Sequence, residues 1–125
     1  MPQNFKKLIV YQEGYQLSKE IYNEVEKIER HFRLRDQLFA AITSVPANLA
    51  EMGSFDNQNQ RLQKLRVCIG EANEAEFWLD FCNDVGLIDE AKHKDFVNRV
   101  KKLRMMLYSL LEKVRGDKNG STDEA

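Results

Sequence analysis

Residues 38–51 read Leu-Phe-Ala-Ala-Ile-Thr-Ser-Val-Pro-Ala-Asn-Leu-Ala-Glu, and this stretch decides the fold. Apolar side chains recur here at steps of three and four residues, the period of an amphipathic helix. They are Leu38, Ile42, Val45, Leu49 and Met52. Pro46 lies inside the pattern, where it removes a backbone hydrogen bond, costs about 3 kcal/mol and usually kinks the helix. We therefore predict a helix with an interior proline and one buried face.

The same periodicity predicts three further helices, one before the proline-containing helix and two after it. The first is predicted from about Leu8 to Ile28, with a flank formed by Tyr11, Tyr15, Tyr22 and Val25. The second holds the proline and runs from about Leu34 to Gly53, and the third runs from about Gln58 to Val85. The fourth starts after an expected N-cap at Asp89. It carries a seam with coiled-coil-like spacing, formed by Phe96, Val100, Leu103, Leu107, Leu110 and Val114.

Long amphipathic helices with short connections predict an all-α fold, an antiparallel up-down four-helix bundle. We place the bundle in residues 1–115 and predict that the polar tail, residues 116–125, is disordered. Some helices are apolar beyond one stripe. Met105, Tyr108 and Leu111 lie off the seam of the fourth helix, and the stripe of the third is widened by Phe77, Trp78, Phe81 and Cys82. A wide intramolecular core and a second face between subunits both explain this breadth.

Composition indicates one soluble domain. The 125 residues are 42% hydrophobic and 31% charged, and no apolar run approaches the roughly 20 residues that span a bilayer. The N-terminus lacks the apolar segment of a signal peptide, so we expect a cytoplasmic protein without membrane association. Cys68 and Cys82 are fourteen residues apart on one helix, about 21 Å, which is too far for a disulfide. We interpret both as buried free thiols.

Charge is distributed unevenly despite a net charge of −1. Residues 67–91 contain seven acids and no Lys or Arg, whereas residues 92–115 contain eight basic residues and two acids. The opposite charges either pair between neighbouring helices, each exposed pair contributing under about 1 kcal/mol, or leave a basic surface for nucleic acid. The residues predicted for such a surface are Arg99, Lys101, Lys102 and Arg104.

Residues suited to catalysis or metal binding are scarce. His31 lies in a basic turn, and Glu90 with His93 has the Glu-x-x-His spacing of di-iron bundles. Such a site needs a second pair and further glutamates, and the sequence has no second pair. Phosphate loops, nucleophile elbows and Cys-x-x-Cys pairs are also missing. We therefore predict a protein that is not an enzyme, with no metal site, no cofactor and no small-molecule substrate.

Ser44-Val-Pro-Ala-Asn-Leu-Ala-Glu51 resembles the Ser-Ile-Pro-Ser-Asn-Ile-Ala-Glu signature of the four-helix-bundle proteins encoded within 23S rRNA intervening sequences. The opening Phe5, Leu8, Val10, Tyr11 and Gln12 is similar to the Phe-x-x-Leu-x-Val-Trp-Gln of that family, and Ile69-Gly70 to its Ala-x-Gly-Ser region. The resemblance covers roughly residues 5–115. It marks Pro46, Asn48, Glu51 and Gly70 as structural signature residues.

The resemblance implies a compact bundle that assembles into a homopentameric ring without enzymatic activity. The family is in turn similar to the accessory variability protein of diversity-generating retroelements, a basic pentamer that binds a reverse transcriptase and nucleic acid. Where the family commonly has two arginines before Ala40-Ala41, this chain has Leu38 and Phe39. This departure favours a protein interface there, and we predict an oligomer or partner interface at Leu38, Phe39 and Trp78.

Two functions follow as hypotheses. The first is a non-enzymatic oligomeric scaffold whose main partner is itself, with some association with structured RNA. The alternative is a retroelement accessory protein that bridges a reverse transcriptase and its RNA.

Overall fold

The computed structural model describes residues 4–116. A single 3-10 turn, Phe5–Lys7, precedes four helices: α1 (Ile9–Val25), α2 (Phe32–Met52), α3 (Gln58–Asp84) and α4 (Glu90–Arg115). The described residues contain no strand, so the predicted all-α class is confirmed. Apart from Gly116, the predicted disordered tail lies outside the described part of the chain.

Local chemistry sets several helix ends. The Asn57 side chain caps the start of α3, where it accepts a hydrogen bond from the Gln60 amide at 3.0 Å. The Asp89 side chain caps the start of α4 in the same way, with the Lys92 amide as donor at 2.8 Å. Gly86 has φ +82° just beyond α3, a conformation that glycine adopts without a steric penalty. The predicted N-cap at Asp89 is thus confirmed, whereas α1 ends at Val25, three residues before the predicted Ile28.

Neighbouring helices run antiparallel. The Gln58 side chain, at the start of α3, donates to the carbonyl oxygen of Val114 near the end of α4 at 2.8 Å. Helix α2 packs against α1 and α3, and α4 packs against α3 and α1. In residues 4–116 neither diagonal pair, α1 with α3 or α2 with α4, is in close contact. This arrangement is the predicted four-helix bundle.

The core consists of the predicted stripes. The five residues of the predicted stripe on α2 are fully buried: Leu38, Ile42, Val45, Leu49 and Met52. The seam of α4 is buried as well: Phe96, Val100, Leu103, Leu107, Leu110 and Val114. Burial of these side chains supplies the main favourable free energy of folding, about 25 cal/mol for each Å² of apolar surface removed from water.

The apolar residues that lie outside the main stripes of α3 and α4 fall into two groups, one buried and one exposed. Leu111 belongs to the core, so part of the breadth of α4 is intramolecular. Met105 and Tyr108 on α4 and Phe77 and Phe81 on α3 are exposed. The prediction that the apolar residues beside the α3 stripe widen the core is therefore wrong for Phe77 and Phe81, whereas Cys82 is fully buried and Trp78 packs against the core.

Candidate functional site

Pro46 is accommodated by a neighbouring helix. Helix α2 continues through the proline, whose missing N–H leaves the carbonyl oxygen of Ile42 without its usual donor. The Ser18 hydroxyl on α1 lies 3.3 Å from that oxygen and 2.8 Å from the carbonyl oxygen of Gly14. A Cβ built on Gly14 would lie 3.6 Å from the Pro46 ring, so α1 and α2 approach closely at the proline.

Two other signature residues of α2 bind one lysine of α3. The Lys64 ammonium donates to Asn48 Oδ1 at 3.3 Å and to Glu51 Oε1 at 2.9 Å. The Asn48 amide also donates to the Ser44 hydroxyl and carbonyl oxygens, each at 2.8 Å. The signature after the proline therefore forms a polar clamp between α2 and α3, which we define as Ser44, Asn48, Glu51 and Lys64.

Gly70, the fourth signature residue, has a different environment. It is exposed in the middle of α3, and a Cβ built on it would meet no atom within 4 Å. Glycine inside a helix destabilises it by about 0.5–1 kcal/mol relative to alanine. Packing within one chain therefore gives no reason for glycine at this position.

An apolar groove of about 410 Å³ runs between α1 and α2. We call it the α1/α2 groove; it is lined by Phe5, Tyr11, Tyr15, Ser18, Lys19, Tyr22, Phe39, Thr43, Pro46, Ala47 and Ala50. The rings of Tyr22 and Phe39 lie 5.6 Å apart and join the two helices, and those of Tyr11 and Tyr15 lie 5.9 Å apart along α1. Tyr15 is 51% exposed, so the groove presents aromatic surface to solvent.

A second aromatic surface lies on the outer side of α3. We call Phe77, Trp78 and Phe81 the α3 aromatic cluster. The ring centroids of Phe77 and Trp78 lie 4.9 Å apart, and each lies 6.2 Å from that of Phe81. Phe77 is 54% exposed, and the indole N–H of Trp78 donates to Glu74 at 3.2 Å. The exposed apolar surface continues to Val85 one turn further on.

The three residues predicted for an interface lie in three environments. Leu38 is fully buried in the core, so it cannot face a partner and that prediction is wrong. Leu38 belongs to the same buried stripe as Ile42 and Val45. Phe39, one position along the helix, lines the α1/α2 groove, and Trp78 belongs to the α3 aromatic cluster.

Arg99 is held in an ion pair with α1. Its guanidinium donates to the two carboxylate oxygens of Glu20 at 2.7 and 2.9 Å, and Asp95 lies 3.6 Å away. Hydrogen bonding by Arg99, with a smaller contribution from Gln16, lowers the pKa of the Glu20 carboxyl from 4.5 to about 2. The same pairing raises the pKa of Arg99. This bidentate geometry is typical of a positioned structural pair.

The other basic residues of α4 divide into paired and exposed ones. The Arg104 guanidinium donates to Glu76 at 2.8 Å and to Asn73 at 3.0 Å on α3. Lys102 lies 4.0 Å from Glu13 of α1, whereas Lys101 is exposed and is in no ion pair among residues 4–116. The structure therefore favours pairing between helices, the first of the two explanations of the charge asymmetry.

Histidines and cysteines have structural environments. His31 is exposed, and His93 Nε2 lies 2.7 Å from Asp80 Oδ1, joining α4 to α3. Cys68 and Cys82 are buried free thiols, as predicted, and burial raises the pKa of Cys68 to about 12. In the described part of the chain, no cluster of three or more His, Cys, Asp or Glu side chains is arranged to bind a metal.

None of the helices in residues 4–116 is long and apolar enough to cross a membrane.

Sequence reasoning missed the α1/α2 groove as a site. Tyr11, Tyr15 and Tyr22 formed a recognisable flank of the first helix, and their separation from the main stripe was the available signal. The sequence does not show which residues of α2 form the other wall of the groove. Phe39 and Ala47 line it because of the register between α1 and α2, which no local pattern specifies.

Comparisons with known proteins give the family. The family model described as 23S rRNA-intervening sequence protein matches residues 6–109. A comparison with curated proteins found no match. A solved structure from Bacteroides thetaiotaomicron, a protein of unknown function from the S23 ribosomal protein family, is similar with a TM-score of 0.77 and 20% identity. The similarity covers 83% of this chain and 96% of that one, and at this identity it supports the fold alone.

Neither description names an enzymatic activity. Because the family model spans most of the chain, including the proline signature and the α3 aromatic cluster, this protein belongs to the 23S rRNA-intervening sequence protein family.

Proposed function

We propose that this protein is a non-enzymatic scaffold that assembles from several copies of its four-helix bundle. One observation carries the proposal: a bundle with a fully packed core exposes two separate aromatic surfaces, the α1/α2 groove and the α3 aromatic cluster. Contiguous exposed apolar surface on a soluble protein marks an interaction site. The resemblance described above supports a ring of five copies.

Association with nucleic acid is the second part of the proposal, and the exposed lysines of α4 support it better than the paired arginines. Arg99 and Arg104 are neutralised by Glu20 and Glu76, so they offer little charge to a phosphate backbone. Lys101 and Lys102 are the exposed remainder of the predicted surface. Replacing both by glutamate should reduce retention on RNA at low salt if they bind phosphates, and unchanged retention would remove these residues from the proposal.

The alternative function is that of a retroelement accessory protein bridging a reverse transcriptase and its RNA. The α3 aromatic cluster is flanked by Glu74, Asp80 and Asp84 and so is acidic. An acidic recognition surface fits a protein partner better than RNA, because phosphates repel it. Bridging to RNA also needs free basic residues, and Arg99 and Arg104 are paired, so the self-assembling scaffold is the function that the geometry supports best.

Light scattering coupled to size exclusion, with absorbance read at two wavelengths, tests the proposal. The chain has a mass of 14.6 kDa, and the scaffold predicts a species of about five times that mass. Absorbance typical of protein alone would support the scaffold, and co-eluting nucleic acid would support the RNA-associated form. A species of 14.6 kDa at all concentrations would contradict the proposal.

A further inference from the structure

The two aromatic surfaces have opposite charge. Lys19 is the charged residue lining the α1/α2 groove, and its ammonium lies 5.5 Å from the ring centroid of Tyr15. Among residues 4–116 Lys19 is in no ion pair, so the groove combines apolar rings with one uncompensated positive charge. An occupant that matches this groove is apolar and carries an acidic group.

The outer face of α3 has that chemistry. Phe77, Phe81 and Val85 recur at four-residue steps and are exposed, which is the spacing of anchors when a helix binds in a groove. Acidic residues flank them, at Glu74, Asp80 and Asp84, and there is no Lys or Arg from residue 67 to residue 91. Exposed aromatic anchors on an acidic helix therefore complement an aromatic groove with a lysine.

One chain cannot bring its own two surfaces together. The groove lies between α1 and α2, whereas the α3 aromatic cluster lies on the outer side of the helix diagonal to α1, and α1 and α3 are not in close contact within the described residues. The groove of one copy therefore has to accept α3 of another. A contact between two different surfaces is heterologous, and repeated copies form a closed ring or an open filament.

We propose that copies of this protein associate head to tail, with the α3 aromatic cluster of one copy seated in the α1/α2 groove of the next. The inference rests on the proposed scaffold function and names the contact that builds it. Phe77 and Phe81 enter the groove between α1 and α2, and the acidic residues beside them face Lys19.

Two single substitutions each alter one of the two aromatic surfaces and leave the other intact. Ala47→Glu places an acid in the groove, at an exposed helical position where it repels the acidic face of α3. Phe77→Ser removes an exposed anchor without adding a charge that could pair with the acid of Ala47→Glu. Ala40→Glu is a matched control on α2, because Ala40 is exposed and does not line the groove. Circular dichroism melts establish that each variant is folded.

Light scattering on the separate variants gives the first result. Ala47→Glu and Phe77→Ser should each have the 14.6 kDa mass of one chain, whereas Ala40→Glu should keep the mass of the wild type. Wild-type mass in either single variant would overturn the head-to-tail contact but leave the scaffold proposal intact. A monomeric wild type would overturn both.

Mixing the two variants gives the decisive result. The Ala47→Glu chain keeps an intact cluster and the Phe77→Ser chain keeps an intact groove, so an equimolar mixture should form a 1:1 species of twice the chain mass and nothing larger. The double variant, mixed with either single variant, should remain monomeric. If the two folded variants stay monomeric when mixed, at the highest concentration where each alone is monomeric, these surfaces do not form the contact.

Discussion

The Ser18 hydroxyl lies 3.3 Å from the carbonyl oxygen of Ile42, the acceptor that Pro46 leaves without a backbone donor. A side chain of α1 thus compensates for a proline in α2. Buried carbonyl groups are almost always hydrogen bonded, and the Ser18 hydroxyl, which also lies 2.8 Å from the carbonyl oxygen of Gly14, gives the Ile42 oxygen a donor beside the buried Pro46.

Replacement of Ser18 tests this compensation. Ser18→Ala should lower the free energy of unfolding by about 1 kcal/mol, because it removes a buried hydrogen bond. The same change should cost less in a Pro46→Ala background, where residue 46 supplies its own N–H to Ile42. Urea denaturation of the two single variants and the double variant gives the coupling energy, which we expect to be about 0.5–1 kcal/mol. Additive effects would show that Ser18 and Pro46 are independent.

Two glycines should respond to alanine in opposite directions. A Cβ meets no atom within 4 Å at either Gly70 or Gly86, so steric clashes do not distinguish them. Gly70→Ala should stabilise the chain by about 0.5–1 kcal/mol through helix propensity. Gly86→Ala should destabilise it by about 1 kcal/mol, since φ is +82° there. Thermal melts measure both, and a shift of the same sign in the two variants would contradict this assignment.

The ion pair between Glu20 and Arg99 should stabilise the fold in a defined pH range. Folding lowers the pKa of Glu20 from 4.5 to about 2, so ionised Glu20 contributes stability above pH 4.5. That contribution decreases as the pH falls towards 2. The Glu20 side chain is 38% exposed, so solvent screening limits the effect at neutral pH to about 1 kcal/mol or less.

Glu20→Gln should therefore be less stable than the wild type at pH 7 and nearly equal to it at pH 2. Urea denaturation across this range measures the difference. In an Arg99→Met background, Glu20→Gln should have little effect at any pH, because the partner is already missing. A difference between wild type and Glu20→Gln that does not change with pH would refute the role of the charge.

The clamp around Lys64 predicts a difference between two lysines. Lys64→Met breaks the contacts with Asn48 and Glu51 and should lower the free energy of unfolding by about 0.5–1.5 kcal/mol. Lys101→Met is the control, since Lys101 is exposed and outside the clamp, and it should change stability by less than about 0.5 kcal/mol. Equal effects in denaturant titrations would mean that the clamp contributes nothing specific.

The main features of the fold were predictable from sequence because period and capping are local. The stripe around Pro46 and the N-caps at Asn57 and Asp89 depend on residues within one or two turns of each other. The structure ends α1 before the predicted Ile28, which is buried although it lies outside the helix. Apolar periodicity reports burial, and a connecting segment that packs on the core continues the pattern.

The candidate site was less predictable because it depends on which face each residue occupies. Leu38 and Phe39 are adjacent apolar residues of α2, yet one is in the core and the other lines a groove. The apolar pattern predicts a core position for Phe77. Because α3 is apolar on two faces, the pattern does not indicate which of the two faces is buried. Partners such as Ser18 for Ile42 and Lys64 for Glu51 arise from the register between helices, which no local pattern specifies.

Acrylamide quenching of Trp78 fluorescence tests the central claim, that self-assembly covers the exposed aromatic surfaces. Trp78 is the single tryptophan of the chain and lies in the α3 aromatic cluster, so its emission reports on that surface alone. We predict that the wild type is quenched less than the Ala47→Glu variant, because the groove of a neighbouring copy shields the indole. Equal quenching of the two folded proteins at the same concentration would contradict the account.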